Sequence, residues 1–229
     1  MERINLKLNF NEFIAISQTT KIKLQAYTNK KITVIPCGVE HNEFKKKIKK
    51  QSNKIICISR MARYKNLKDL ILSFALLHKS NSTLKLTIIG VGPQEKNLKD
   101  LAKNLKIKKS ISFLSNLSRR DLIKQLSQSY IFCLPTKVEG FGISIIEAAA
   151  ARTPYVTTNI SVLKEVTKNY QGGLSYEVGN INSLAKKLNI LISDAKIYRQ
   201  KRAECTKLAK FYNWDKIANE TEKVYLSTL

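Results

Sequence analysis

From Lys54 onward the chain alternates short apolar runs with stripes of apolar residues spaced three and four apart. Ile55–Ile58, the set Leu84, Leu86, Ile88 and Ile89, the pair Ile111 and Phe113, the run Ile131 to Leu134, and Tyr155 to Thr157 have the length and composition of strands. Leu67, Leu70, Ile71, Phe74 and Ala75, then Leu98, Leu101, Ala102 and Leu105, and later Ile181, Leu184, Ala185, Leu188 and Leu191, each describe one helix face. A continuously apolar strand needs cover on both sides. The pattern therefore predicts an α/β fold, a doubly wound parallel sheet. A chain of 229 residues, 43% hydrophobic, can bury one sizeable core of this kind.

Open sheets of this class bind ligands beyond the carboxyl ends of their strands. Two loops there carry suitable chemistry. The run ending at Pro135 leads into E-G-F-G-I-S-I-I-E, Glu139 to Glu147. Gly140 and Gly142 let the backbone approach a ligand, and a helix starting near Ile143 aims unpaired N–H groups and its positive end at the same place, which favours an anion. A carboxylate accepts two hydroxyl hydrogen bonds at once, so Glu139 and Glu147 suit a polyol attached to that anion. A nucleotide sugar has both parts. The second loop, S-R-M-A-R-Y-K-N, carries Arg60 and Lys65, a pair able to neutralise a diphosphate without a metal. Plainer readings exist for both: a turn before a helix with Glu147 on a solvated face, and a basic loop in a chain with 41 Lys and Arg. Gly90 and Gly92 follow a strand, but the third glycine of a dinucleotide fingerprint is missing and Pro93 stands instead.

The net charge of +24 and sequence pI near 9.9 permit a nucleic-acid or anionic-membrane partner. The lysines spread over helix faces without interleaved aromatics, so a solvated surface is the default and nucleic acid is disfavoured. The cluster Lys45, Lys46, Lys47, Lys49, Lys50 and Lys54 reads as a solvated linker over Phe44 to Lys54, with an anionic lipid surface as the alternative. Cys37, Cys57, Cys133 and Cys205 show no C-x-x-C spacing and read as free thiols, and two histidines give a zinc site little support. No apolar run is long enough to span a bilayer and the start lacks a signal-peptide core, so a cytoplasmic location is expected, peripheral at the inner face of the membrane if the lysines meet lipid.

The segment E-G-F-G-I-S-I-I-E-A-A-A-A-R-T-P-Y-V resembles the E-x7-E signature of retaining glycosyltransferases of the GT-B architecture, specifically the group 1 (family 4) set. I-P-C-G-V-E, S-R-M-A-R-Y-K, G-V-G-P and F-L-S-N-L-S fall in the family's order. The resemblance implies a Rossmann-like C-terminal half of a GT-B protein. Residues 1–45 would be the remnant of an N-terminal acceptor domain and interdomain segment, 46–195 the nucleotide-sugar-binding domain, and 196–229 C-terminal helices, the last packing toward the N-terminal side. It implies transfer of a hexosyl group from a UDP- or GDP-type donor with retention and with no cofactor or obligatory metal, the leaving phosphate serving as base. In that frame Arg60 and Lys65 hold the diphosphate, Glu139 the sugar hydroxyls and Glu147 the ribose. Gly140, Phe141, Gly142 and Ile143 offer loop backbone, Gly90 and Gly92 line the nucleotide side, and Leu114 to Leu117 meet the base through backbone.

Three departures accompany it. Ser59 replaces a glycine, Ile160 and Ser161 stand where a glycine pair lies beside the donor, and Arg152 occupies a glycine position. If that position is left-handed, arginine costs about 1 kcal/mol. Glu165, in K-E-V, does match. With most of the first domain absent, Trp214 and Tyr225 on the last helix are expected to be partly uncovered or covered by a separate N-terminal-half partner. Two alternatives remain at this level: an inactive nucleotide-sugar-binding subunit, and a basic nucleic-acid-binding protein.

Overall fold

This computed structural model describes residues 10–46 and 48–227, and among them eight strands form two parallel sheets. The smaller joins β1 (Glu12–Ala15) and β2 (Lys31–Val34) through α1 (Gln18–Gln25). Ser17 caps α1, its hydroxyl oxygen accepting from the Thr20 N–H at 3.0 Å.

The larger sheet contains β3 (Gln51–Ile58), β4 (Lys85–Ile89), β5 (Ile111–Leu114), β6 (Ser129–Leu134), β7 (Tyr155–Thr158) and β8 (Gly173–Tyr176), in the order β5-β4-β3-β6-β7-β8. The chain winds outward from β3 to β5, returns to pair β6 with β3, and winds outward the other way. The carboxyl ends of β3 and β6 thus flank the point where the winding reverses, which is where such sheets open a crevice. The crossover helices are α2 (Leu67–Ser80), α3 (Glu95–Asn104), α4 (Arg119–Gln128), α5 (Ile143–Ala150), α6 (Ser161–Val166) and α7 (Ile181–Ser193), followed by α8 (Ala195–Ala209) and α9 (Trp214–Leu226). This is the doubly wound α/β fold predicted from the alternation.

Side chains alternate across the strands and fill two layers. Ile55, Cys57, Leu86, Ile88 and Ile131 point to one face, under Leu70 and Phe74 of α2 and Leu188 of α7. Ile56, Phe132, Leu134 and Tyr155 point to the other, under Ile145 and Ile146 of α5 and Leu208 of α8. A fully buried aliphatic or phenyl side chain contributes about 1.5–3 kcal/mol, so these layers hold the strand ends in place.

The structure departs from the sequence reading at the linker. Strand β3 begins at Gln51, four residues before the apolar run, because pairing with β6 reaches back to Ser129. Lys54 is consequently buried, its ammonium donating to Gln125 Oε1 at 2.6 Å. Part of the segment read as solvated linker is therefore the root of the central strand. Cys57, Cys133 and Cys205 are buried free thiols as expected, while Cys37 is partly exposed. Arg152 does sit in the left-handed region, with φ 55°. Of the last helix's apolar stripe Ile217 is buried, whereas Trp214 and Tyr225 are 47% and 64% exposed. The Trp214 ring lies over Gly38, where an added Cβ would come 2.5 Å from a ring carbon. No described helix is long and apolar enough to cross a membrane.

Candidate functional site

The loops after β3 and β6 are tied together before any charged group is considered. Lys137 N–H donates to the Tyr64 carbonyl at 2.8 Å, and the Thr136 hydroxyl donates to the Val138 carbonyl at 2.7 Å. Thr158 of β7 donates to the Thr136 carbonyl at 2.7 Å. Across this joint the Lys65 ammonium meets the Glu139 carboxylate. Their side chains are only 14% and 11% exposed, so water screens this pair less than a surface pair.

The next residues are held from three sides. The Gly140 carbonyl accepts from the Ser17 and Thr20 hydroxyls at 3.1 and 3.3 Å. Helix α1 is fixed in turn by Glu165 of α6, whose carboxylate accepts from Gln18 N–H at 2.6 Å and from Thr19 N–H and hydroxyl at 2.9 and 2.7 Å. A carboxylate at the positive end of a helix, meeting unspent N–H groups, is a favourable cap. Phe141 turns its side chain into the core, edge-on to Tyr212 with ring centroids 5.6 Å apart. Gly142 precedes α5 with φ 90°, and a Cβ there would approach Leu163 Cδ2 to 2.8 Å. The loop thus presents backbone, with exposed Ile143 opening the helix.

Arg60 is exposed at the end of β3, in the same loop as Lys65. Met61 beside it is buried, its N–H donating to the Val91 carbonyl at 2.8 Å. A Cβ at Gly92 would stand 2.5 Å from the Met61 carbonyl oxygen, and one at Gly90 would strike the Ser59 carbonyl. These glycines let the loop after β4 lie flat on the Arg60 loop, where the sequence alone offered only an incomplete dinucleotide fingerprint. Gly90 N–H donates to the Leu114 carbonyl at 2.9 Å, and the Leu114 and Leu117 side chains pack on the core.

Glu147, on the second turn of α5, does not join Lys65 and Glu139. Its carboxylate is held by Arg119, the first residue of α4. Arg119 also grips Glu43 through Nε at 3.0 Å and a terminal nitrogen at 2.6 Å. Hydrogen bonds donated to Glu43 first, and then to Glu147, hold the guanidinium's pKa above its ordinary value. The sequence reading missed this triad. Its members are 28 and 76 residues apart, and the R-R-D that opens α4 looks like any capped helix start. Among the described residues, no three His, Cys, Asp or Glu side chains are grouped to hold a metal ion.

Beyond the carboxyl ends of β3 and β6 the structure thus sets the Lys65–Glu139 pair, the exposed Arg60 and the start of α5, while Glu147 is held separately by Arg119. Residues 38–211 match the family described as glycosyl transferases group 1. The chain is 32% identical over 178 residues to an uncharacterized glycosyltransferase of Haemophilus influenzae, covering 77% of this chain and 50% of that protein. It is 31% identical over 174 residues to a glycogen synthase of Mycobacterium tuberculosis, covering 76% and 42%. Its fold superposes on the pneumococcal O-GlcNAc transferase GtfA, solved with UDP and GlcNAc, with a TM-score of 0.82, 18% identity and coverage of 95% of this chain and 45% of that one. The chain spans about half the length of the curated relatives it matches. With the motifs in order along a doubly wound sheet and the match running through most of its length, the chain belongs to the group 1 glycosyltransferase family.

Proposed function

We propose that this chain forms the donor-binding half of a glycosyltransferase that moves a hexosyl group from a UDP- or GDP-type sugar to an acceptor, with retention of configuration. The observation that carries the reading is the shielded Lys65–Glu139 pair, set beside the start of α5 where the sheet's winding reverses. A diphosphate entering there competes for the Lys65 ammonium. Together with Arg60 and the first N–H groups of α5, Lys65 then neutralises the charge that grows on the leaving phosphate. Release of Lys65 frees Glu139 to accept the hexose hydroxyls. Glu147, oriented by Arg119, accepts from the ribose. The leaving phosphate takes the acceptor's proton on the face it departs from, so no side-chain base is assigned and configuration is retained.

The test is nucleotide release from UDP- and GDP-hexoses, with the anomeric configuration of the product read by NMR. Glu139→Ala is expected to lower release about 100-fold, the scale of losing one group aimed at a developing charge. Release unchanged by that substitution removes Glu139 from the reaction, and an inverted product removes the retaining mechanism.

A second reading, a subunit that binds the donor and needs a partner for transfer, is favoured by the exposure of Trp214 and Tyr225 on α9. It predicts donor binding with no turnover until a second protein covers that face.

A further inference from the structure

The carboxyl end of α5 holds the opposite arrangement of charge. A cavity of about 310 Å³ there is lined by six basic residues, His41, Lys45, Lys46, Lys50, Arg152 and Arg202, and its described lining contains no carboxylate. That volume is at the small end of ligand pockets. The Lys50 ammonium donates to the Ala151 carbonyl at 3.1 Å and to the Thr153 hydroxyl. Arg202 Nε and His41 Nε2 are buried with no hydrogen-bond partner among the described residues. Burial, then the charges of Arg202 and Arg152, pull the Lys50 pKa down to about 7, while Cys205 acts the other way.

Compensation from the protein is small. The carbonyl end of α5 supplies about half a negative charge, spread over its last turn. Glu204, next to Cys205 on α8, is already occupied by Lys201 at 2.8 Å, Gln200 at 2.9 Å and Gly172 N–H at 2.9 Å. A lysine patch on a strongly basic surface normally spreads into water. Here Lys50 instead lines a cavity together with Arg202 and Arg152, the latter in left-handed backbone. Guanidinium and ammonium groups lining one small cavity suit a phosphate group.

We propose that this cavity is an anion site, separate from the crevice at the other end of α5, that takes a phosphate group, free in solution or carried by a lipid headgroup. The inference does not depend on the glycosyl-transfer reading, since none of its residues belongs to that crevice.

Calorimetric titration of the whole chain with inorganic pyrophosphate tests it. Arg202→Gln and Arg152→Gly are each expected to weaken binding about tenfold, whereas Arg60→Ala leaves a saturable event in place. Arg152→Gly guards against a trivial loss through unfolding, because glycine is at ease in the left-handed backbone there. Sedimentation with phosphatidylcholine vesicles, with and without phosphatidylglycerol, separates the two sources. Co-sedimentation that needs phosphatidylglycerol and is lost in Arg152→Gly assigns the site to a headgroup. Pyrophosphate binding lost in Arg152→Gly without any sedimentation assigns it to a soluble phosphate. Pyrophosphate affinity unchanged in both Arg152→Gly and Arg202→Gln, or abolished by Arg60→Ala alone, overturns the proposal.

Discussion

The two ends of α5 place cations against opposite partners. At its start Lys65 and, one loop away, Arg119 face carboxylates, so each positive charge is balanced inside the protein. At its end Lys50, Arg152 and Arg202 line one cavity with no carboxylate in its described lining. The helix dipole has the right sign at both ends but not the strength, because about half a negative charge at its carboxyl end leaves most of the positive charge there uncancelled. A balanced end can exchange partners when a ligand arrives. An unbalanced end is relieved by one.

This difference predicts opposite responses to removing a lysine, and the larger response is in front. Lys65→Ala leaves the Glu139 carboxylate shielded and unpaired, which costs about 3 kcal/mol of stability, while the double variant with Glu139→Ala costs less than either single change. On nucleotide release, each single change costs about 100-fold and the pair together little more, since groups acting as a unit are not additive. Denaturant unfolding and release assays on the four proteins read both effects. Additive losses would mean that the two side chains act separately and that the front is no more coupled than the back.

What the sequence made readable follows from the range of the interactions. The strand and helix alternation is local, and so is the turn chemistry of Glu139 to Ile143, so both could be located without coordinates. The left-handed backbone at Arg152 was raised only by the resemblance, which has a glycine at that place past the helix end. Contacts across the fold were not. Glu165 caps a helix 146 residues away, and Glu147 finds Arg119 on another crossover. Lysines 45 to 54 look alike in composition. Only the pairing of β3 back to Ser129 decides that Lys54 is drawn under Gln125, and only the end of α5 decides that Lys50 reaches Ala151.

Behind the helix, pH should separate the ends. Lys50 falls from an ordinary 10.5 to about 7 on folding. Above 10.5 it is neutral in both states and costs nothing. As pH drops from 10.5 toward 7 the unfolded chain takes the proton more readily, so stability is progressively lost, and below about 7 the penalty is constant. The groups around it do not cancel this. His41, Lys45, Lys46, Arg152 and Arg202 share its cavity, and burial pushes the Cys205 thiol up to about 12, leaving it neutral across the window. Wild-type stability minus that of Lys50→Met should therefore rise between pH 7 and 10 in phosphate-free buffer, and flatten with pyrophosphate present. A flat difference without pyrophosphate would mean that the back of α5 is as well compensated as the front.

The smallest effect comes from Arg152, where backbone and charge can be set against each other. Glycine removes the left-handed strain of about 1 kcal/mol and gives back part of it through the greater freedom of the unfolded chain, for a net gain of about 0.5 kcal/mol. It also removes one of the two guanidinium charges that depress Lys50, so the pH slope should become shallower in the same variant. Arg152→Ala keeps the strain and loses only the charge. If glycine stabilises and alanine does not, while both flatten the slope, then φ 55° at this position is a backbone cost independent of the charge crowding. If both variants lose stability at pH 7, the Arg152 guanidinium secures the end of α5, and the two ends differ less in their need for a counter-charge than their geometry implies.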